Sequence, residues 1–392
     1  MSLRLNPLVL GVAEPPIAEA QGWIEGRTFP PDRPLLNMAQ AVPSYPPAEA
    51  LQDYLAEVVR RPDASLYTDI LGLPGLRSAL AAHLSETYDS DLAVKDFAIT
   101  AGCNQAFCVA MSTLAGPGDE VILPAPWYFN HQMWLQMQGV MPVPLPCGEA
   151  TGAMPDPADA AELVGERTRA IVLVTPNNPT GAIYSPELIA AFYELARDRN
   201  IALVLDETYK DFMPGESPPH GLFDRSDWRD IFIQLYSFSK AYSLTGYRVG
   251  SVAAGPAVLG AIEKIMDCIA ICAPRIGQEA ALYGLGNLAD WRRGKRDLML
   301  ERTEALRAAF RATNSGYQLV SSGAYFAWVR HPFPDRGATA VARMLATDHN
   351  LLCLPGSMFG PGQEDYLRLA FANLEAERMG EVARRLAEST AG

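Results

Sequence analysis

From residue 97 to residue 253 the chain alternates short apolar runs with amphipathic stretches, and no other feature restricts the fold as much. The apolar runs cover 97–100, 120–123, 141–145, 170–175, 201–205, 231–236 and 249–253. Runs of this length suit buried strands. The stretches 105–114, 130–138 and 186–198 are long enough for helices, the last opened by Ser185 as N-cap and Pro186 at the first helical position. Alternation of this kind predicts an α/β chain with a mainly parallel sheet in a three-layer arrangement, helices covering both faces. In open sheets of that type ligands bind beyond the carboxyl ends of the strands.

Five polar motifs follow strand candidates directly: Thr100 to Asn104, Pro124 to Tyr128, Asn177 to Gly181, Asp206 to Tyr209 and Ser237 to Lys240. A parallel sheet would gather all five on one edge. With 392 residues the chain suggests two domains. Residues 1–47 are rich in proline and read as an irregular arm that joins the smaller domain. Residues 48–287 form the large domain, opening with a helix over 48–60 and a glycine-rich turn at 67–77 that leads into a helix over 76–88. Residues 288–392 read as a smaller α+β domain, with a charged helix at 291–310, strands at 317–329, 351–354 and 366–372, and a terminal helix at 374–386.

Hydrophobic residues at 49% and charged residues at 20% describe a globular protein with a substantial core. The net charge of -13 argues against a nucleic-acid groove or an anionic membrane surface as partner. Asn6, Pro7 and Glu14 flank or interrupt the apolar patch at 8–13, so no export is expected. The longest uncharged stretch, 249–262, falls short of the roughly 18 apolar residues of a membrane span. The six cysteines form no CxxC pair and mostly sit in apolar segments, as free thiols do in a reducing compartment, here the cytoplasm. Cys268 and Cys272 lie one helical turn apart, but the histidines are scattered and no metal site is expected.

Lys240 is one of only five lysines. The other four, Lys95, Lys210, Lys264 and Lys295, each have Asp, Glu or Arg within three positions and read as solvated. Lys240 instead stands among Ser, Phe, Tyr and Leu after an apolar run. Partly dry surroundings lower an ammonium's pKa and favour the free amine, which suits Schiff-base chemistry with an aldehyde. The neighbouring motifs suggest which aldehyde. Arg248, Ser237 and the backbone amides of Gly102, Cys103 and Asn104 at a helix N-terminus would bind a phosphate dianion. Trp127 or Tyr128 could stack on a flat ring. Asp206 would hold a proton on a ring nitrogen, and Tyr209 with Asn178 could bond a phenolate oxygen. Aldehyde, phosphate, ring nitrogen and phenolate together describe pyridoxal phosphate. Singly, each residue has a simpler reading: Asp206 as a helix cap, Asn178 and Gly181 as a turn, Arg248 as half of a surface ion pair. Jointly, those readings require coincidence.

Seven ordered motifs resemble the fold-type I, class I/II aminotransferase family: Tyr67 to Arg77, Thr100 to Gln105, Asn178 to Gly181, Asp206 to Tyr209, Ser237 to Lys240 with Gly246 to Arg248, Leu354 to Gly360, and Arg368 to Phe371. The resemblance implies that Lys240 carries the cofactor as a Schiff base, with Asp206 on the pyridinium nitrogen and Tyr209 and Asn178 on the ring oxygen. Tyr128 matches the stacking position, and Gly102, Cys103, Asn104, Ser237 and Arg248 match the phosphate-binding positions. Arg368 matches the arginine that grips the substrate α-carboxylate with two prongs, a geometry lysine does not copy. Asn178 and Ala41 fall at substrate-facing positions. The family is usually dimeric, and Tyr67 matches a tyrosine that reaches the neighbouring subunit's cofactor phosphate.

Two departures stand out. Ala41-Val42-Pro43 occupies an arm position where relatives often carry glycine, which narrows the expected entrance, and Cys103-Asn104 replaces commoner small or basic pairs in the phosphate loop. The implied reaction moves an amino group between an L-amino acid and a 2-oxo acid by a ping-pong route, Lys240 shuttling the proton. The alternative within the same fold is a C–S β-lyase or another fold-type I enzyme of the same cofactor, such as a decarboxylase or a cyclopropane-forming synthase. A nucleotide-dependent dehydrogenase lacks support, since no GxGxxG follows a strand upstream of Asp206. A cofactor-sensing regulator would need a DNA-binding module for which the chain has no room. Trp23, Tyr45, Trp127 and Arg275 are candidates to shape the side-chain pocket, and no signature marks dicarboxylic substrates.

Overall fold

The computed structural model describes residues 3–391. A two-residue strand in the arm, β1 (Leu36–Asn37), precedes the main sheet. That sheet contains β2 (Phe97–Thr100), β3 (Glu120–Ala125), β4 (Met141–Pro146), β5 (Thr168–Val174), β6 (Ala202–Asp206), β7 (Phe232–Ser237) and β8 (Gly250–Ala253), in the spatial order β2-β8-β7-β6-β5-β3-β4. Neighbours from β7 to β4 pair in parallel, whereas β8 runs antiparallel to both β2 and β7. The reversal has a useful consequence. The five motif-bearing strands end on one edge, and β8 starts there, so Arg248 just before it joins the same edge.

Strand periodicity explains the two covered faces. Leu203 and Leu205 pack with Ile99, Ile122 and Ile171 in one apolar cluster, under the helices Pro74–Tyr88, Pro186–Asp198 and Arg275–Asn287. The intervening Val204 packs with Ala98, Val121 and Val172 in another, under Cys103–Leu114, Phe129–Met137 and Pro256–Ala270. Successive side chains on a strand point to opposite faces, and each fully buried Leu, Ile or Val is worth about 1.5–3 kcal/mol. The helix Pro186–Asp198 starts where its cap residues predict: the Ser185 hydroxyl accepts a hydrogen bond from Leu188 N at 3.2 Å.

The second half forms its own sheet from β9 (Gln318–Gly323), β10 (Phe326–Arg330), β12 (Leu354–Pro355) and β13 (Tyr366–Ala370), all antiparallel. The short strand β11 (Leu351–Leu352) stays outside that sheet and pairs in parallel with β1 of the arm. A separate apolar cluster here takes Leu306 from the helix Ala289–Ala312, Val341 and Leu345 from Ala338–Asp348, and Val382 and Leu386 from Met379–Glu388.

Several sequence expectations need correction. The run 317–329 is a hairpin of two strands, because Ala324 adopts φ 47° and turns the chain back. The run 351–354 splits between two sheets. The terminal helix begins at Met379, five residues later than its apolar pattern suggests, after a short 3-10 turn. The arm is less irregular than its prolines imply, with helical turns at Pro7–Leu10 and Pro16–Gly22. Among the described residues no helix is long and apolar enough to cross a membrane.

Candidate active site

At the shared strand edge lies a cavity of about 360 Å³ into which the arm, both sheets and the 3-10 turn at Thr245–Tyr247 all reach. Its walls include Ala41, Cys103, Asn104, Tyr128, Asn178, Asp206, Tyr209, Ser237, Lys240, Arg248 and Arg368. The fold thus brings together eleven of the thirteen residues that the sequence assigned to cofactor or substrate contacts. Gly102, buried next to Cys103, is not part of the wall, and Tyr67 stands apart from it, 73% exposed.

Lys240 lies in the four-residue helix Phe238–Ala241, whose Ser237 cap accepts from Ser239 N at 3.2 Å. Its Nζ donates to the carbonyl of Ala41 at 2.6 Å, so the arm itself holds the amine in place. Burial pushes the lysine pKa down to about 8, and the charges of Arg368 and Arg248 add to the effect. The dry lysine expected from sequence is present.

Asp206 ends β6 inside the cavity, buried, with Thr208 N donating to one oxygen at 3.0 Å and His131 Nε2 lying 3.4 Å from the other. Burial alone would raise this carboxyl. The hydrogen bond and charge of His131, with the donors of Thr208, outweigh it and hold the pKa below the ordinary value. His131 was not singled out by sequence. It stacks on Phe107 at 3.8 Å between centroids and meets the Tyr128 ring edge-on at 5.0 Å. The available signal was its spacing, one helical turn after Tyr128.

Gly102 has φ +85°, and a Cβ there would overlap the guanidinium of Arg248. Only glycine lets that arginine lie across the start of the helix Cys103–Leu114, where Nη1 donates to Thr245 O at 2.9 Å and Nη2 to Ala101 O at 3.3 Å. Unpaired N–H groups at that helix start and a guanidinium beside them form a cradle for an anion. Tyr128 OH donates to Asn104 Oδ1 at 3.3 Å on the same side, and burial pushes its phenol up to about 12. Cys103 is buried, and desolvation drives its thiol far above the ordinary value, so it packs as a neutral group.

Arg368 on β13 is buried between the rings of Phe326 and Phe359, at 5.2 and 5.0 Å. It donates to Asn178 Oδ1 at 3.1 Å and to the carbonyl of Ala39, while its Nε has no acceptor. No carboxylate pairs with it among the described residues. Burial lowers its pKa to about 10. A buried guanidinium without a counter-charge is costly, and an incoming carboxylate relieves that cost. Asn178 is held by the tight turn ending at Gly181, whose φ of +72° and contact with the β9–β10 hairpin leave no space for a Cβ. Ser321 Oγ donates to Thr180 O at 2.8 Å and fastens the two sheets together at this point.

The expected pocket-shaping residues are not in the cavity wall. Trp127 lies under Gly360, Tyr45 packs edge-on against Trp291, and Trp23 sits beneath Arg343. Arg275 is bound to Asp63 at 2.5 Å and approaches Glu279 at 3.9 Å. Ile17, Val42, Phe129 and Asn130 line the cavity instead. Of the two candidate stacking rings, Tyr128 faces it. Lys210, expected to be solvated, is buried beside Asp211 and the face of Tyr236.

The family model described as aminotransferase class I and II matches residues 33–386. The chain belongs to that family. Among its relatives an aromatic aminotransferase of Arabidopsis thaliana is 30% identical over 390 residues, spanning 97% of this chain and 95% of the relative. An aspartate aminotransferase of Sulfolobus acidocaldarius is 26% identical over 375 residues, 91% of each chain. The solved structure of an aspartate aminotransferase from Thermus thermophilus with maleate aligns at a TM-score of 0.89 and 23% identity, covering 99% of this chain and 100% of that one. This last likeness establishes the fold-type I architecture. As an aminotransferase the chain is a transferase of amino groups, and the β-lyase alternative is not favoured. Its family uses pyridoxal phosphate. The Gly102 cradle, the buried Asp206 carboxylate and the unpaired Arg368 are features that this cofactor and an amino-acid substrate would fit.

Proposed function

We propose that this aminotransferase binds pyridoxal 5'-phosphate and exchanges amino groups between an L-amino acid and a 2-oxo acid by a ping-pong route. The observation that carries the reading is the placement of a low-pKa amine and a buried, unpaired guanidinium in one cavity, Lys240 and Arg368. Lys240 is the covalent anchor of the cofactor. Asp206, kept ionised by His131 and Thr208, holds a proton on the ring nitrogen, and Tyr209 and Asn178 donate toward the ring oxygen. Tyr128 stacks on the ring, while the amides of Cys103 and Asn104, the Ser237 hydroxyl and Arg248 hold the phosphate; Gly102 makes room for Arg248, its own N–H being spent on Thr100 O at 2.8 Å. When bound, pyridoxal phosphate supplies an aldehyde and a ring that takes up the electron pair left at the substrate's Cα.

The chain's own residues do the rest. Arg368 grips the α-carboxylate with two parallel hydrogen bonds and fixes the substrate's orientation. The Lys240 amine, with a pKa of about 8 in the cofactor-free protein, is close to the value that lets one group both take and return the proton at Cα near neutral pH. Ala41, whose carbonyl holds that amine, narrows the entrance on the arm side.

The assembly is a homodimer in this reading, the exposed Tyr67 of each copy reaching the other's phosphate. One apolar cluster on each face of the main sheet and a third within the second half support a large domain at 48–287 and a small domain at 288–392, with two further clusters bridging both domains and the arm. Six cysteines without a disulfide favour a reducing compartment, the cytoplasm. Replacing Lys240 by Ala is the decisive test. Turnover of amino acids and the visible absorbance of lysine-bound cofactor should both be lost, and a variant that turns over like the parent protein would sink the assignment.

A further inference from the structure

A second cavity of about 470 Å³ lies between the loop at 213–219, the end of the helix Pro74–Tyr88 and the start of the helix Ala289–Ala312. It shares no residue with the first cavity, although Lys210 in its wall directly follows Tyr209. Its charge balance is uneven. Asp211, buried, accepts from Arg292 at 2.8 Å and from Tyr236 OH at 2.7 Å, and lies 3.6 Å from Lys210 Nζ. Two cations therefore share one carboxylate.

Two further carboxylates stand in the wall, but Glu86 is exposed to solvent and Glu216 is taken by Arg296. Lys210 is only 6% exposed and has no hydrogen-bond acceptor among the described residues; its other neighbour is the face of Tyr236, 4.8 Å away. His83 contacts Arg292 at 2.8 Å, but burial and the charges of Lys210 and Arg292 push its pKa down to about 3, so it stays neutral and adds no charge. Arg293 spends its charge on Asp290. Arg296 bonds Gly215 O at 3.2 Å and Glu216 at 2.5 Å, which pins the loop as one wall. A buried ammonium whose one carboxylate neighbour lies beyond hydrogen-bond distance is costly, and donors are left for a ligand.

We propose that this cavity is a second binding site for a small oxyanion, a phosphate or a carboxylate, held by Lys210 and Arg292. The occupant completes the charge of the Lys210–Asp211–Arg292 triad. It also links the residue after Tyr209 to the helix that opens the second half of the chain, and so belongs to an effector rather than a substrate.

Calorimetric titration of the cofactor-loaded enzyme with inorganic phosphate tests this in the parent protein and in Lys210→Met and Arg368→Leu. One phosphate per chain should bind saturably, and succinate is titrated in Arg368→Leu, because in the parent protein a carboxylate also fills the Arg368 site. Lys210→Met should weaken binding roughly tenfold or more, as expected for loss of a charge-assisted hydrogen bond, and Arg368→Leu should not. Tighter phosphate identifies a phosphoryl ligand and tighter succinate a carboxylate. Absence of saturable binding by either ion overturns the proposal, as does loss in Arg368→Leu with retention in Lys210→Met. Should Lys210→Met fail to fold, slower methylation of Lys210 in the parent protein on adding the ion, resolved by mass spectrometry, supports the site, and an unchanged rate refutes it.

Discussion

Arg302 and Arg368 are both buried arginines in the second half of the chain, and they are treated differently. Arg302 donates to Ser44 Oγ at 2.9 Å and to Ala372 O at 2.5 Å, and it forms an ion pair with Glu375, so its charge is answered from within the chain. Arg368 is given an amide oxygen, a carbonyl and two aromatic faces, but no carboxylate. The first arginine fastens the arm to the segment after β13. The second is held in position and left uncompensated, at a cost to stability that a structural role would not justify.

The largest effect should come from removing the uncompensated charge. Truncating one partner of a buried charge pair costs about 2–5 kcal/mol, so kcat/KM for amino acids in Arg368→Leu should fall by roughly thirty-fold to several thousand-fold. Arg368→Lys should also lose much of the activity, because an ammonium cannot make the two parallel bonds. Thermal unfolding should show Arg368→Leu no less stable than the parent. An unchanged Michaelis constant in either variant would break the contrast.

Arg302→Met should behave in the opposite way. Glu375 is mostly exposed and would regain water, so the loss is that of the hydrogen bonds to Ser44 and Ala372, about 1–3 kcal/mol of stability. Urea unfolding reads that loss. Steady-state kinetics should show substrate binding close to that of the parent, and a large rise in KM would mean that the arm position depends on Arg302.

The two arginines also mark what could be read in the chain beforehand. Arg368 was legible through its local motif, and so were the five strand-end motifs, because strand periodicity and turn chemistry are short-range properties. Both ends of the helix Pro186–Asp198 followed from Ser185, Pro186 and the apolar spacing. Lys210 was misread because acidic neighbours were taken to mean solvent, whereas here the neighbour, Asp211, is itself buried. His131 and the true cavity wall at Ile17, Val42 and Phe129 depend on how the arm and the helix Phe129–Met137 pack, which no window of sequence contains. Trp127 and Tyr128 are adjacent, and only the fold decided which of them faces the cavity.

The smallest effect gives the finest test of the contrast. Burial is the main reason that Lys240 titrates near 8 instead of 10.5, and the charge of Arg368 is the next contribution. Arg368→Leu should therefore move the Lys240 pKa in the cofactor-free protein upward, toward its ordinary value, while Arg302→Met should leave it in place. With five lysines in the chain, NMR titration of lysine labelled at the ε-carbon can follow this one directly. The same shift has a sign in stability. Between about pH 8 and 10.5 the unfolded chain binds more protons at this lysine than the folded chain, so its contribution to stability rises with pH through that window. Raising the folded pKa narrows the window from below, and Arg368→Leu should gain less stability than Arg302→Met or the parent between pH 8 and 10. Equal gains in all three would show that Lys240 does not sense Arg368, and that the two side chains do not act as one site.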